Sequence, residues 1–221
     1  MTDSTNSSDW DSSAGQRSAH HSSDAILPGQ LIIVSGPSGA GKSTVLRRLR
    51  ERCELPLQVS VSVTTRSPRS GEVDGRDYHF VSREQFEEKR ERGDFLECME
   101  VFGRDWYGTP AREVDEALRQ GTWIILEIDV QGALSVMKRR RDTISFFVHP
   151  GTKEELEQRL RKRGTEEEAA IRRRLEVAEE ELTALIYYNH EIINRDVDLA
   201  VEEICQLLKK SAEESRQCLK S

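Results

Sequence analysis

Gly36, Gly41, Lys42 and Ser43 stand at the spacing Gly-x-x-x-x-Gly-Lys-Ser, directly after the apolar run Leu31-Ile-Ile-Val34. Glycines at such positions let backbone N–H groups turn inward around phosphate oxygens, a lysine supplies a cation to the β- and γ-phosphates, and a serine hydroxyl is a ligand for Mg2+. A helix starting near Gly41 adds the positive end of its dipole at the same place. The stretch Gly36-Pro37-Ser38-Gly39-Ala40-Gly41-Lys42-Ser43-Thr44 therefore predicts a nucleoside triphosphate site. ATPases, GTPases, kinases and transporters share such a loop, so it does not by itself name the reaction.

Three other stretches hold chemically capable residues. Thr64 to Phe80 is dense in turn formers and cations, with Arg66 and Arg69 bracketing Pro68 and with Tyr78 after the glycines. A second apolar run, Trp123 to Ile128, carries Glu127 and ends in Asp129; an acidic residue after such a strand is where a fold with this loop places a carboxylate directed at Mg2+. Both acids are candidates for that role, and Asp129 also fits a plain helix cap. Farther on come Arg159, Arg161, Lys162 and Arg163, then Arg172-Arg173-Arg174, runs that by charge pattern alone read as a solvated helix face.

The elements that must position these groups follow from periodicity. Strands are expected at Leu31 to Val34, Gln58 to Val63, Trp123 to Ile128, Ile144 to Val148 and Glu191 to Asn194. Helices are expected from Ser43 to about Arg52, after the Ser82-x-x-Gln85 capping box, from the Thr109-Pro110 cap to about Gln120, after Thr152-x-x-Glu155, and from Leu199 to about Leu208. Strands separated by helices predict parallel units covered on both faces. Short antiparallel strands around Gly103-Arg104-Asp105 interrupt that pattern, so about 63–108 reads as a small subdomain over the active-site end of the sheet.

The chain has 221 residues, 33% charged and 36% hydrophobic, with net charge −7. That suits a soluble globular protein and argues against a nucleic-acid partner or a membrane span. Residues 1–27 are rich in Ser, Asp, Asn, Gly and Gln and are expected to form a disordered tail, in which His20-His21 is solvated rather than metal-binding; 209–221 are expected to fray. Cys53, Cys98, Cys205 and Cys218 lie far apart, with no metal-ligand spacing and no expected signal peptide, and read as reduced thiols of a cytoplasmic protein.

Five motifs in order, Gly36 to Thr44, Thr64-Thr-Arg-Ser-Pro-Arg-Ser-Gly-Glu72, Gly75-Arg-Asp-Tyr-His-Phe80, Ile125-Leu-Glu-Ile-Asp-Val-Gln-Gly132 and Arg163-Gly-Thr165, resemble those of the guanylate kinase family over about residues 29–208. The resemblance implies a P-loop α/β/α fold in three layers with a mainly parallel central sheet, an inserted mixed α/β subdomain for the nucleoside monophosphate, and a helical lid at about 153–182. It implies transfer of the γ-phosphoryl of ATP to GMP, and to dGMP, with Mg2+. Arg66, Arg69, Tyr78 and Tyr107 resemble the residues that hold the GMP phosphate, with Glu72 as their acidic partner. Ser62, Glu97 and Thr109 resemble those that face the guanine edge, and Glu127 and Asp129 fall within the same acceptor set. Arg159, Arg163 and Arg174, with Lys42 and Arg66, resemble the catalytic cations; Asn194 resembles a position near the adenine. Ser43 is the expected Mg2+ ligand, with Asp129 reaching the ion through water.

His149-Pro150-Gly151-Thr152 departs from a proline-richer turn of that family, and Glu127 stands where some members have Asp. Two rivals remain: a phosphoprotein-binding module that has lost the phosphate loop, against which Lys42 and the glycines speak, and a kinase for another small phosphorylated acceptor, which would have no use for Ser62, Glu97 and Thr109. Oligomeric state is not legible.

Overall fold

The computed structural model describes residues 29–101, 103–162 and 168–218. The calls on the tail at 1–27 and on Arg163-Gly164-Thr165 lie outside these residues.

Five strands, β1 (Leu31–Ser35), β2 (Leu57–Val59), β7 (Trp123–Glu127), β8 (Ile144–His149) and β9 (His190–Ile193), form one sheet in the order β2-β7-β1-β8-β9. Every neighbouring pair is parallel. Alternation along β1 builds a core on each face. Ile32 and Val34 pack with α1 (Lys42–Arg52) and α7 (Val197–Cys218), whereas Leu31 and Ile33 pack with α3 (Ala111–Arg119) and α4 (Val130–Arg139). A strand buried on both faces has no polar positions to spare, which is why β1 reads as a continuous apolar run.

The second sheet has the order β4-β3-β6-β5, from β3 (Val63–Thr64), β4 (His79–Phe80), β5 (Phe95–Val101) and β6 (Asp105–Pro110), and is mixed in direction. Its core is small: Val63, Phe95 and Phe86 of α2 (Arg83–Glu91), with the Phe86 and Phe95 rings stacked 4.7 Å apart. The capping box of α2 is formed on both sides by Ser82 and Gln85. Between β8 and β9, α5 (Lys153–Lys162) and α6 (Glu168–Leu182) close on a core of their own around Leu156, Leu160, Ile171 and Leu175. Among the described residues no helix is long and apolar enough to cross a membrane.

Three sequence expectations need correction. The strand at Gln58 to Val63 is two strands in different sheets. The Ser60 N–H still donates to Ile125 O, but the Ser62 carbonyl already accepts from His79 N–H, and β3 joins β6. Thr109 is not the cap of α3: it belongs to β6, is fully buried, and gives its hydroxyl to Glu97, leaving Pro110 at the N-cap without a side-chain bond. The C-terminal helix does not end near Leu208 but runs to Cys218, because Ala212 continues the buried stripe of Ile204 and Leu208 and Lys209 pairs with Glu54 at 2.9 Å.

Candidate functional site

The loop after β1 supplies its donors from backbone. Gly41 sits in the left-handed region (φ 89°) at the N-terminus of α1, which has no side-chain cap and no acid in its first turn, so its first N–H groups and its dipole are left for an anion. A Cβ at Gly36 would stand 2.1 Å from the Val148 carbonyl, so only glycine lets the loop pass that close to β8. Lys42 Nζ folds over the loop and donates to the carbonyls of Gly36 (2.6 Å) and Pro37 (3.1 Å). Ser43 Oγ donates to Glu127 Oε1 at 2.6 Å, joining the hydroxyl after the lysine to the end of β7. Asp129 instead caps α4, accepting the Gly132 N–H at 2.7 Å. Of the two candidate acids, Glu127 is thus the one on Ser43.

Behind the loop, the Ala40 carbonyl accepts from both Asn194 Nδ2 (2.8 Å) and Arg159 Nη1 (3.3 Å). Arg159 Nη2 also donates to the Asn194 carbonyl (2.6 Å) and to Glu155 (3.1 Å). Arg159, expected among the phosphate cations, here pins the loop to α5 and to the end of β9. Thr152 caps α5 through the Glu155 N–H, and His149 is locked between Glu191 (2.8 Å) and the Gly151 N–H (3.2 Å).

The second cluster sits on the small sheet. Arg66 forms a fork on Glu72 (3.0 and 2.9 Å) and donates through Nε to the Tyr107 hydroxyl (3.1 Å). Its guanidinium carbon lies 5.4 Å from the centre of the Tyr78 ring, and the Tyr78 and Tyr107 rings meet edge to face at 5.8 Å. Glu72 accepts also from the Arg69 N–H (2.7 Å), and these bonds, that of Arg66 foremost, hold its carboxyl below the usual range while raising Arg66. A carboxylate orients the Arg66 cation, which in turn holds the Tyr107 hydroxyl, with the Tyr78 ring packed beside them, an arrangement suited to a phosphate dianion. The Arg69 side chain is exposed, and Ser62 offers its backbone carbonyl to His79.

Glu97 is the opposite kind of carboxylate. It is 7% exposed, and burial pushes it up to about 7 although the Thr109 hydroxyl, 2.6 Å from Oε1, and the Thr109 N–H favour the charged form; Asp129 nearby adds to the rise. A Cβ at Gly132 would stand 2.9 Å from Glu97 Oε2, so the glycine lets α4 lie against this carboxylate.

A cavity of about 1000 Å3 opens between the loop, β5, α4 and α6; Gly36, Ser38 and Lys42 line it together with Asp129, Arg173 and Arg174. Two residues there were not singled out in the sequence. Arg173 was part of a run that charge pattern alone assigns to a solvated face. Glu181 of α6 has its carboxyl raised by burial, then lowered in part by Lys42, and only the folded chain brings it near a residue 139 positions away.

A parallel sheet with a glycine loop at the carboxyl end of its central strand, an uncapped helix behind that loop and an inserted cation-bearing sheet defines a P-loop nucleotide-binding α/β protein. Residues 28–211 match the family described as Guanylate kinase. The chain is 55% identical over 183 residues to a guanylate kinase of Rhodopirellula baltica, covering 82% of this chain and 88% of that one, and 47% identical over 182 residues to a guanylate kinase of Rubrobacter xylanophilus, covering 82% and 94%. The crystal structure of guanylate kinase from Anaplasma phagocytophilum aligns with TM-score 0.68 at 33% identity, covering 84% of this chain and 87% of the other. The chain belongs to the guanylate kinase family and is a kinase.

Proposed function

We propose that the chain transfers the γ-phosphoryl of ATP to GMP, and to dGMP, giving ADP and the corresponding diphosphate. The observation that carries this reading is Glu97. A buried carboxylate beside Thr109, on the same sheet as the Arg66, Tyr78 and Tyr107 cluster, can accept from the N1–H and 2-amino groups of guanine. Adenine presents a lone pair at N1 and meets repulsion there.

In this reading the GMP phosphate replaces part of what now surrounds Arg66, with Arg69 joining the guanidinium and the two tyrosine hydroxyls. Its oxygen attacks the γ-phosphorus and ADP leaves from the opposite side. No general base is needed, because the nucleophile is already anionic; the work lies in alignment and charge neutralisation. Lys42 turns from the loop carbonyls to the β- and γ-phosphates, and Arg174 and Arg163 approach the transferring group as the α5 and α6 lid closes. Ser43 and Glu127 fit Mg2+: a hydroxyl and a carboxylate in hydrogen-bond contact at the loop are hard oxygen donors, and the described residues contain no acidic, His or Cys cluster that would hold a metal apart from the nucleotide. Mg2+ supplies neutralisation of the β,γ-phosphate charge when bound with ATP. We infer a cytoplasmic enzyme with ATP and GMP as partners and neither nucleic acid nor membrane among them.

Purified protein with ATP, Mg2+ and each nucleoside monophosphate in turn tests this, with ADP release as the readout. GMP is expected to exceed AMP, CMP and UMP by ~10²-fold or more in kcat/KM. Turnover of AMP equal to that of GMP would overturn it.

A further inference from the structure

Cys53 and Cys205 fall outside everything the nucleotide site uses. Cys53 follows the last turn of α1, where its N–H caps the Leu49 carbonyl, and is 7% exposed; Cys205 lies in α7 and is half-buried. Their Sγ atoms are 2.7 Å apart. That is closer than two unbonded sulfurs ordinarily stand, and within roughly 0.7 Å of the ~2.05 Å of an S–S bond. The two helices are fixed to each other on both sides of the thiols: Arg48 and Arg52 each reach Asp198 at 3.1 Å near one end, and Lys209 reaches Glu54 at 2.9 Å beyond the pair. The thiols therefore meet as a consequence of helix packing in the main core and not through a mobile loop.

We propose that Cys53 and Cys205 form an oxidation site, closing to a reversible disulfide that staples α1 to α7. With hydrogen peroxide as the oxidant, the accessible Cys205 sulfur takes one peroxide oxygen to become sulfenic acid, and the other oxygen leaves as water. Cys53 Sγ then attacks the Cys205 sulfur; the S–O bond breaks and its hydroxyl leaves with the Cys53 proton as a second water. Two thiols lose two electrons and the peroxide gains them. Burial, and then the bond to Cys53, push the Cys205 thiol up to about 11, so little of it is thiolate and the first step is slow. The second step is intramolecular between atoms already in contact and outruns further oxidation. Sustained oxidant rather than a brief pulse closes the staple.

The staple joins positions 152 residues apart, enclosing the inserted sheet and the lid within one covalent loop. Cross-linking so long a loop restricts the unfolded chain strongly, whereas neither cysteine lines the cavity that holds Lys42 and Arg174. The consequence falls on stability and not on turnover.

The test treats reduced, desalted full-length protein with hydrogen peroxide, blocks remaining thiols with N-ethylmaleimide, and reads the digest by mass spectrometry beside Tm and activity. Two of the four cysteines, Cys98 and Cys218, are expected to be alkylated, with a Cys53–Cys205 cross-linked peptide lighter by two hydrogens. Tm is expected to rise by roughly 5–10 °C with kcat within about twofold, and dithiothreitol is expected to reverse both. Cys205→Ser and Cys53→Ala should each abolish the cross-link and the shift, so a folding defect in one leaves the other to decide. Four alkylated thiols after treatment, irreversible sulfinic acid on Cys205 beside an alkylated Cys53, a cross-link to Cys98 or Cys218, or a cross-link that leaves Tm unchanged would each overturn the proposal.

Discussion

Glu72 and Glu97 are carboxylates of the same small subdomain, and their environments drive them in opposite directions. Glu72 lies at the rim, forked by Arg66 and bonded by the Arg69 N–H, and stays ionised well below neutrality. Glu97 lies inside, with one neutral hydroxyl on Oε1 and the carboxylate of Asp129 nearby, and ionises only near pH 7. In the proposed function the difference separates two tasks. A carboxylate that orients a cation needs no burial, whereas one that reads a base edge gains strength from a dry site and meets the desolvation cost on its own. In the same proposed function the glycine loop, whose donors to phosphate would be backbone and indifferent to the base, contrasts with the small sheet, whose selectivity would rest on side chains.

Removing the loop cation should give the largest effect. Lys42→Met is expected to lower kcat by ~10³–10⁵-fold, the scale seen when a phosphate-stabilising cation is lost, with the fold retained by circular dichroism and GMP binding by calorimetry largely intact. A variant of ordinary kcat would break the assignment of the loop to the donor. Next is Glu97→Gln, which keeps one acceptor but sets an amide donor against a guanine donor; kcat/KM for GMP should fall by ~10²-fold, with the KM for ATP within about twofold. If both nucleotides suffer equally, the two regions are not separate in function.

A smaller effect is expected at Arg174, which lines the cavity beside Lys42. Arg174→Ala should lower kcat by ~10–100-fold with KM little changed, as for a contact made mainly in the transition state. Arg159→Ala sharpens the point: since Arg159 holds the Ala40 and Asn194 carbonyls, its loss should raise the KM for ATP more than it lowers kcat. Steady-state kinetics of the pair distinguish the two outcomes.

The smallest effect is one of pH, and its sign differs between binding and stability. In the proposed reading GMP needs Glu97 ionised, so the KM for GMP should rise about fivefold from pH 7 to pH 6, and Glu97→Gln should flatten that limb. Stability of the free protein runs the other way. A folded pKa of about 7 against the ordinary 4.5 means that the folded state holds this proton between those values while the unfolded state does not. The contribution of Glu97 is thus most favourable below about pH 4.5 and is lost as pH rises through 7, an amount of about 3 kcal/mol. Tm of the Glu97→Gln variant minus that of the parent should therefore grow from pH 5 to pH 8; a constant difference would show that Glu97 titrates normally.

Much of the glycine-loop region was determined by sequence alone, because it is local. Gly36 to Thr44 is contiguous, its chemistry is that of a backbone turn, and the apolar run before it and the amphipathic turn after it fix strand and helix without help from the rest of the chain. The capping box at Ser82 was legible for the same reason. Arg66 and Tyr78 were legible as chemistry in one short segment, but their order is tertiary: Tyr107 arrives from β6, and a fork to Glu72 rather than solvent is a matter of fold. Thr109 shows the limit most clearly. Its sequence context is a helix cap, and that local preference lost to a buried carboxylate needing a donor, a need that exists only once β5 and β6 pair. Glu127 could be told from Asp129 only when Ser43, 84 residues earlier, came within 2.6 Å of it. Cys53 and Cys205 looked like isolated thiols because linear spacing carries no information about two helices that meet across 152 residues of chain; packing of α1 on α7 alone put their sulfurs together.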